Sequence, residues 1–132
     1  MVPADADDER LAELHERYRA DYTAYYDRHA TPESTPMRGA DPAIILVPGV
    51  GLFSYGRDAA AARVAGEFYV NAINVMRGAA GVSKYKGLPE QEAFNIEYWL
   101  LEEAKLARMP KAKSLQGRVA LNALYYTRDS TP

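Results

Sequence analysis

The sequence predicts a mainly helical α+β chain: three helices and a short β segment. Three observations predict it. Apolar residues recur at steps of three and four over residues 7–27, 57–77 and 88–108. One uninterrupted apolar run rich in β-branched residues occupies residues 43–47. Prolines and glycines cluster in the intervals between these stretches.

The first helix is expected over residues 7–27. Leu11, Leu14, Tyr18, Tyr22 and Tyr25 or Tyr26 fall on one face, and Asp7, Asp8 and Glu9 sit where carboxylates favour the free amides and the helix dipole. Pro32, Pro36, Gly39 and Pro42 then enforce an extended linker, because each proline removes a donor and disfavours helix in the residue before it. Ala43, Ile44, Ile45, Leu46 and Val47 read as a strand buried on both faces. A bend or bulge at Pro48, Gly49, Val50 and Gly51 separates it from a second short strand, Leu52 to Tyr55, which stops at Gly56.

The second helix opens at Arg57 and Asp58 and runs to about Arg77, with Gly78 as its stop. Ala61, Val64, Ala65, Phe68, Tyr69, Ala72, Ile73 and Met76 form its apolar face, and the alanines at 59–62 leave room for close approach to a sheet. Residues 79–87 read as a loop. Pro89 suits the first turn of a third helix ending near Arg108, before Pro110. Phe94, Tyr98, Leu101 and Lys105 lie along one line of it, flanked by Ile96, Trp99 and Leu100. A basic linker over 111–117, an opening strand over 118–121 and an irregular tail over 122–132 complete the chain. The expected divisions are 1–40 (helix and Pro-rich linker), 41–110 (β-β-α plus helix) and 111–132.

Composition narrows the chemistry. With 132 residues the length suits one domain. Sixteen Lys and Arg against eighteen Asp and Glu give a net charge of −2, which excludes the cationic surface that nucleic acid needs. Cysteine is absent, removing disulfides, thiolate metal sites and Cys nucleophiles. No apolar run approaches the roughly 20 residues of a membrane span, and the acidic N-terminus is no secretory signal, so a cytoplasmic chain without membrane or nucleic-acid partners is expected.

No catalytic constellation follows from the residues. Gly49, Gly51 and Gly56 do not give Gly-x-Gly-x-x-Gly, and Gly51 to Gly56 is only half of a P-loop, followed by Arg57 and Asp58 instead of Lys and Ser or Thr. The glycines are read as conformational. His15 and His29 lie fourteen apart, without the three- or four-residue spacing of helical metal ligands, and take surface or capping roles. Glu90, Glu92, Glu97, Glu102 and Glu103 offer carboxylates, yet with Lys105 and Arg108 they read as a solvated helical face. No tyrosine stands four before a lysine, as the short-chain dehydrogenase pair requires: Tyr85 precedes Lys86 by one and Tyr98 precedes Lys105 by seven. The excess of tyrosine, ten residues including Tyr18, Tyr22, Tyr25, Tyr26, Tyr69 and Tyr98, fits a packing stripe better than a stacking platform.

Longer strings carry a resemblance. Residues 42–58 read Pro-Ala-Ile-Ile-Leu-Val-Pro-Gly-Val-Gly-Leu-Phe-Ser-Tyr-Gly-Arg-Asp, and 65–79 read Ala-Gly-Glu-Phe-Tyr-Val-Asn-Ala-Ile-Asn-Val-Met-Arg-Gly-Ala. With 88–94 and 96–106, they resemble the junction of bifunctional class II aldolase/short-chain dehydrogenases of the rhamnulose-1-phosphate type. The resemblance implies aldol cleavage of a deoxysugar phosphate and NAD-linked oxidation of an aldehyde such as lactaldehyde, with zinc in the aldolase part and NAD in the dehydrogenase part.

The strand–strand–helix unit at 44–72 is similar to the late unit of class II aldolases, which often carries a zinc-binding His. Here Pro48-Gly49-Val50-Gly51 stands at that place, and after Leu121 comes Asn122-Ala123-Leu124 without a dinucleotide fingerprint. No catalytic, cofactor-binding or metal residue is therefore assigned to this chain. The expectation is a truncated connector, not competent alone, whose partners are the missing aldolase and dehydrogenase parts or a homo-oligomer partner. The alternatives are a stand-alone interaction module docking through its tyrosine-rich helices, and a small-ligand binder using residues 49–56.

Overall fold

The computed structural model describes residues 1–108 and the strand Asn122–Leu124. In chain order its elements are α1 (Asp8–His29), β1 (Ile44–Val47), β2 (Gly51–Ser54), α2 (Ala59–Val82), α3 (Glu90–Glu97), α4 (Leu100–Arg108) and β3 (Asn122–Leu124). The chain is thus mainly helical with a short β segment. It divides into two units: Met1–Leu14 and Pro42–Tyr85 with β3 form one, and His15–Asp41 with residues 86–108 form the other.

The first unit is built on a β-hairpin. Val50 donates its amide to the Val47 carbonyl at 3.0 Å, Pro48 follows Val47, and Gly49 has φ +78°. Proline at the second position and positive φ at the third define a type II turn, which glycine alone enters without strain. Val47 and Gly51 pair directly across the hairpin, and Ile44 pairs with Ser54. The expected bend is therefore a full antiparallel reversal. β3 adds to the other side of β2, with Leu52 opposite Leu124, giving the order β1-β2-β3 with both pairs antiparallel. The strand expected at 118–121 lies outside the described residues, whereas β3 falls where the sequence pattern lapses.

β1 is not buried on both faces as expected. All four of its residues are half-buried, because it is an edge strand. Its outer side is partly occupied by Val2, whose amide donates to the Leu46 carbonyl at 2.9 Å. β2 alternates instead, with Leu52 and Ser54 buried.

α2 packs on all three strands. Asp58 caps it by accepting the Ala61 amide at 2.8 Å. Ala62 and Gly66 are buried at its contact face, so the small residues do bring the helix close to the sheet. A Cβ on Gly56 would lie 2.5 Å from the Ala62 nitrogen, so the turn before the helix requires glycine. Two details differ from expectation. The helix passes through Gly78 to Val82, since an interior glycine weakens a helix by only about 1 kcal/mol. Val64 and Phe68, expected on the packing face, are exposed.

In the second unit, residues 15–29 of α1 meet α3 and the aromatic pair Phe94 and Tyr98, the buried apolar residues there. The single helix expected over 88–108 is two: Tyr98, at φ −104° and ψ 25°, ends α3, and Trp99 offers its carbonyl to the Glu102 amide at 2.9 Å to begin α4. Neither proline nor glycine stands at the break, so nothing local marks it. α1 starts as the acids predict, with Asp7 accepting the Arg10 amide at 2.8 Å, and ends two residues later than expected. Among the described residues, no helix is long and apolar enough to cross a membrane.

Gly56→Ala is expected to lower stability by about 1–3 kcal/mol through overpacking. Gly39→Ala, where a Cβ meets nothing within 4 Å, is expected to stay within about 0.5 kcal/mol. Urea midpoints of the two variants check the contrast.

Candidate functional site

The densest set of polar and aromatic groups lies in the second unit. Steps of three and four along α1 put Tyr18, Tyr22, Tyr25, Tyr26 and His29 on adjoining faces. The rings form a continuous chain: Tyr18 to Tyr22 at 6.3 Å, Tyr22 to Tyr25 at 5.8 Å, Tyr25 to Phe94 at 5.9 Å, and Tyr26 to Tyr98 at 5.1 Å. Phe94 and Tyr98 stack at 4.6 Å, as i, i+4 neighbours in one helical turn allow.

Tyrosine, and not phenylalanine, is used because the ring edges carry a hydrogen-bond network. Tyr22 donates its hydroxyl to the Glu97 carboxylate, its oxygen lies 2.7 Å from the Tyr98 hydroxyl, and Tyr25 reaches Glu97 at 3.4 Å. Tyr26 donates to the Thr35 carbonyl at 2.7 Å. Arg38 lies over the Tyr98 ring at 5.5 Å and pairs with Glu103. Burial, then the hydrogen bond to Glu97, pushes the Tyr22 phenol far above its usual range. Burial and the Glu97 charge push Tyr25 up to about 12, and the same two causes raise Tyr18. These hydroxyls are therefore held as neutral donors, unfit to act as bases at neutral pH.

A shallow groove of about 240 Å³ opens beside this cluster, lined by His29, Thr31, Glu33, Ser34, Gln91, Phe94, Asn95, Tyr98, Trp99 and Leu100. Its rim is ionic. His29 lies 3.2 Å from Glu90 and 2.9 Å from Gln91, and Arg28 also reaches Glu90, at 3.1 Å. Hydrogen bonds from His29 and then Arg28 hold the Glu90 carboxyl below its usual range. Asp41 is lowered likewise, by Arg19 at 2.8 Å first and then by His15 at 3.0 Å.

The carboxylates singled out in the sequence thus go to different partners. Glu90 serves His29, Glu97 the tyrosines, Glu102 pairs with Lys105 at 3.2 Å and Glu103 with Arg38; Glu92 is exposed. They do not converge as an acid and base. Arg19, Arg38, Asp41, Gln91 and Asn95 were not singled out in the sequence. Arg38 and Asp41 lie in the proline-rich linker, and no spacing marks a partner about twenty or more residues away.

Neither group implied by the resemblance fits these residues. Among the described residues, no three His, Asp or Glu side chains come together in a metal-binding set. The Gly49–Gly51 segment closes a hairpin instead of leading from a strand into the N-terminus of a helix, so its amides do not form a dinucleotide cradle.

The described residues form a small mixed module of helices and a β-hairpin extended by a third strand. Over residues 2–106 it matches the family described as "Aldolase class II, second domain", and the chain belongs to that family. It is 34% identical over 123 residues to the "Uncharacterized oxidoreductase YuxG" of Bacillus subtilis (strain 168), an alignment covering 90% of this chain and 18% of that protein. The chain thus spans under a fifth of that relative. No solved structure matches.

Three outcomes are expected of this unit. Phe94→Ala removes a ring that is 4% exposed and lowers stability by about 3–5 kcal/mol, read by chemical denaturation. Asp41 and Glu90 titrate below their unfolded values, so their contribution is complete above about pH 5 and is lost as pH falls through the folded values. Melting temperature therefore drops as the pH falls below about 5, and Asp41→Asn flattens that limb. The phenols titrate above theirs, so stability also falls as pH rises beyond about 10, and Tyr22→Phe reduces that fall.

Proposed function

We propose that this chain is the connecting second-domain scaffold of a larger bifunctional polypeptide, joining a class II aldolase part to an NAD-dependent short-chain dehydrogenase part. The family match over residues 2–106 carries the reading. The relative's designation as an oxidoreductase, and the small share of it that this chain spans, support the larger partner. The aldolase part would cleave a rhamnulose-1-phosphate-type sugar phosphate, and the dehydrogenase part would oxidise the aldehyde released. Zinc and NAD would be held by those parts. The scaffold contributes packed helices and a hairpin, not a reacting group.

The interaction-module reading has less surface than the sequence suggested, since Tyr22, Tyr25, Tyr26 and Tyr98 are engaged with one another and with Glu97. Two measurements test the scaffold reading. DNA flanking the coding sequence, read in all frames, should encode an aldolase segment upstream and a glycine-rich dinucleotide-binding segment downstream; absence of both overturns it. The isolated chain should neither cleave rhamnulose 1-phosphate nor reduce NAD with lactaldehyde, and turnover of either by the chain alone would assign it catalytic residues of its own.

A further inference from the structure

We propose that residues 1–3 form a strap that guards the outer edge of β1, and that releasing the strap lets β1 pair with β1 of a second copy. Among the described residues β1 is the terminal strand of its sheet. Its residues, Ile44, Ile45, Leu46 and Val47, are all apolar and pair with β2 without a bulge. They carry none of the devices that keep an edge from pairing, such as a lysine, an inward charge or a proline. Alternation along the strand fixes which backbone groups face outwards. The Ala43 carbonyl accepts the Tyr55 amide at 2.8 Å on the β2 side, so Ala43, Ile45 and Val47 turn their amides and carbonyls inwards. Ile44 and Leu46 turn theirs out. Among the described residues, the Leu46 carbonyl alone of these outward groups has a partner, the Val2 amide at 2.9 Å.

The strap covers an edge without offering a new one. Val2 is half-buried and turns its amide to β1. In an extended segment the next amide points the other way, and at that position stands Pro3, which has no amide to give. The chain then leaves the edge at once, through a turn in which the Ala6 amide donates to the Pro3 carbonyl at 3.2 Å. The segment therefore holds β1 by one bond and supports no strand beyond itself. One net hydrogen bond shifts an equilibrium by only about fivefold, so the strap is readily displaced. Once it lifts, the amides and carbonyls of Ile44 and Leu46 stand open at the two-residue spacing of a β-ladder. Two such edges match. With β1 of each copy antiparallel and centred on Ile45, Ile44 of one faces Leu46 of the other, and every outward group is paired. That pairing is what the strap prevents.

Amide exchange of the unmodified 132-residue chain tests whether the strap is seated. Relative to intrinsic rates, the Val2 amide should exchange more slowly than those of Ala4 and Asp5; a Val2 amide as fast as theirs overturns the proposal. Val2→Pro deletes the donor. In sedimentation velocity it should lower the concentration at which the chain associates by at least about fivefold, with far-UV circular dichroism unchanged. Ile44→Pro on that background removes an outward amide and no bond to β2, the setting in which a strand tolerates proline, and should return the chain to monomer. The Ile44 amide of the Val2→Pro chain should also pass from open to protected as that chain associates, a readout that holds even where the doubly substituted chain does not fold. Association of Val2→Pro no stronger than that of the unmodified chain overturns the proposal. So does association that leaves the Ile44 amide open or that persists in folded Ile44→Pro, because another face then carries it.

Discussion

Ala62 is fully buried, and a Cβ on Gly56 would intrude to 2.5 Å from its amide nitrogen, so the entry into α2 and the first turn of that helix occupy space that no larger side chain can share. The rest of the sheet unit depends on that approach. Gly66 continues the close contact one turn later, and the helix reaches all three strands. Among the described residues the core of this unit is Leu52, Ala62 and the buried Ser54, and at the helix contact backbone proximity replaces side-chain bulk. The Asp58 cap fixes where the helix begins, and so fixes which alanine arrives at the contact.

The helical unit solves a different problem. Its buried apolar residues are Phe94 and Tyr98, and the surrounding rings come from a helix in which no residue is fully buried. Such a half-wet cluster favours tyrosine, whose ring supplies area while its hydroxyl keeps a partner at the margin. Glu97 collects two of those hydroxyls and is thereby committed to structure. The same commitment extends to its neighbours: Glu90, Glu97 and Glu103 each already neutralise or orient another group of the unit.

The helices and hairpin strands were legible in the sequence because their signals are local. Asp7 and Asp58 mark helix starts, the three-and-four spacing marks the faces, and Pro48-Gly49 marks the turn. What was missed depends on distant parts of the chain. The split at Tyr98 and Trp99 carries no breaker, and the exposure of Phe68 follows from which side of α2 the sheet occupies. β1 reads as an interior strand by composition, yet the topology makes it an edge. The ionic pairs of the groove rim join residues 61 and 62 positions apart, and Arg19 meets Asp41 across 22, beyond any pattern of spacing. The class II aldolase part of the resemblance was legible because it rests on contiguous strings that tertiary context does not alter.

The position of β3 has a consequence for how the chain is made. β2 is central, yet its second neighbour lies about 70 residues further on, with both α3 and α4 in between. A ribosome adding about 5–20 residues per second needs several seconds to deliver that interval. During that time the hairpin and α2 stand with one flank of β2 open, while the helical unit can already close on itself. β2 therefore waits on a distant stretch of chain: its pairing with β3 cannot form until α2, α3 and α4 have all been synthesised.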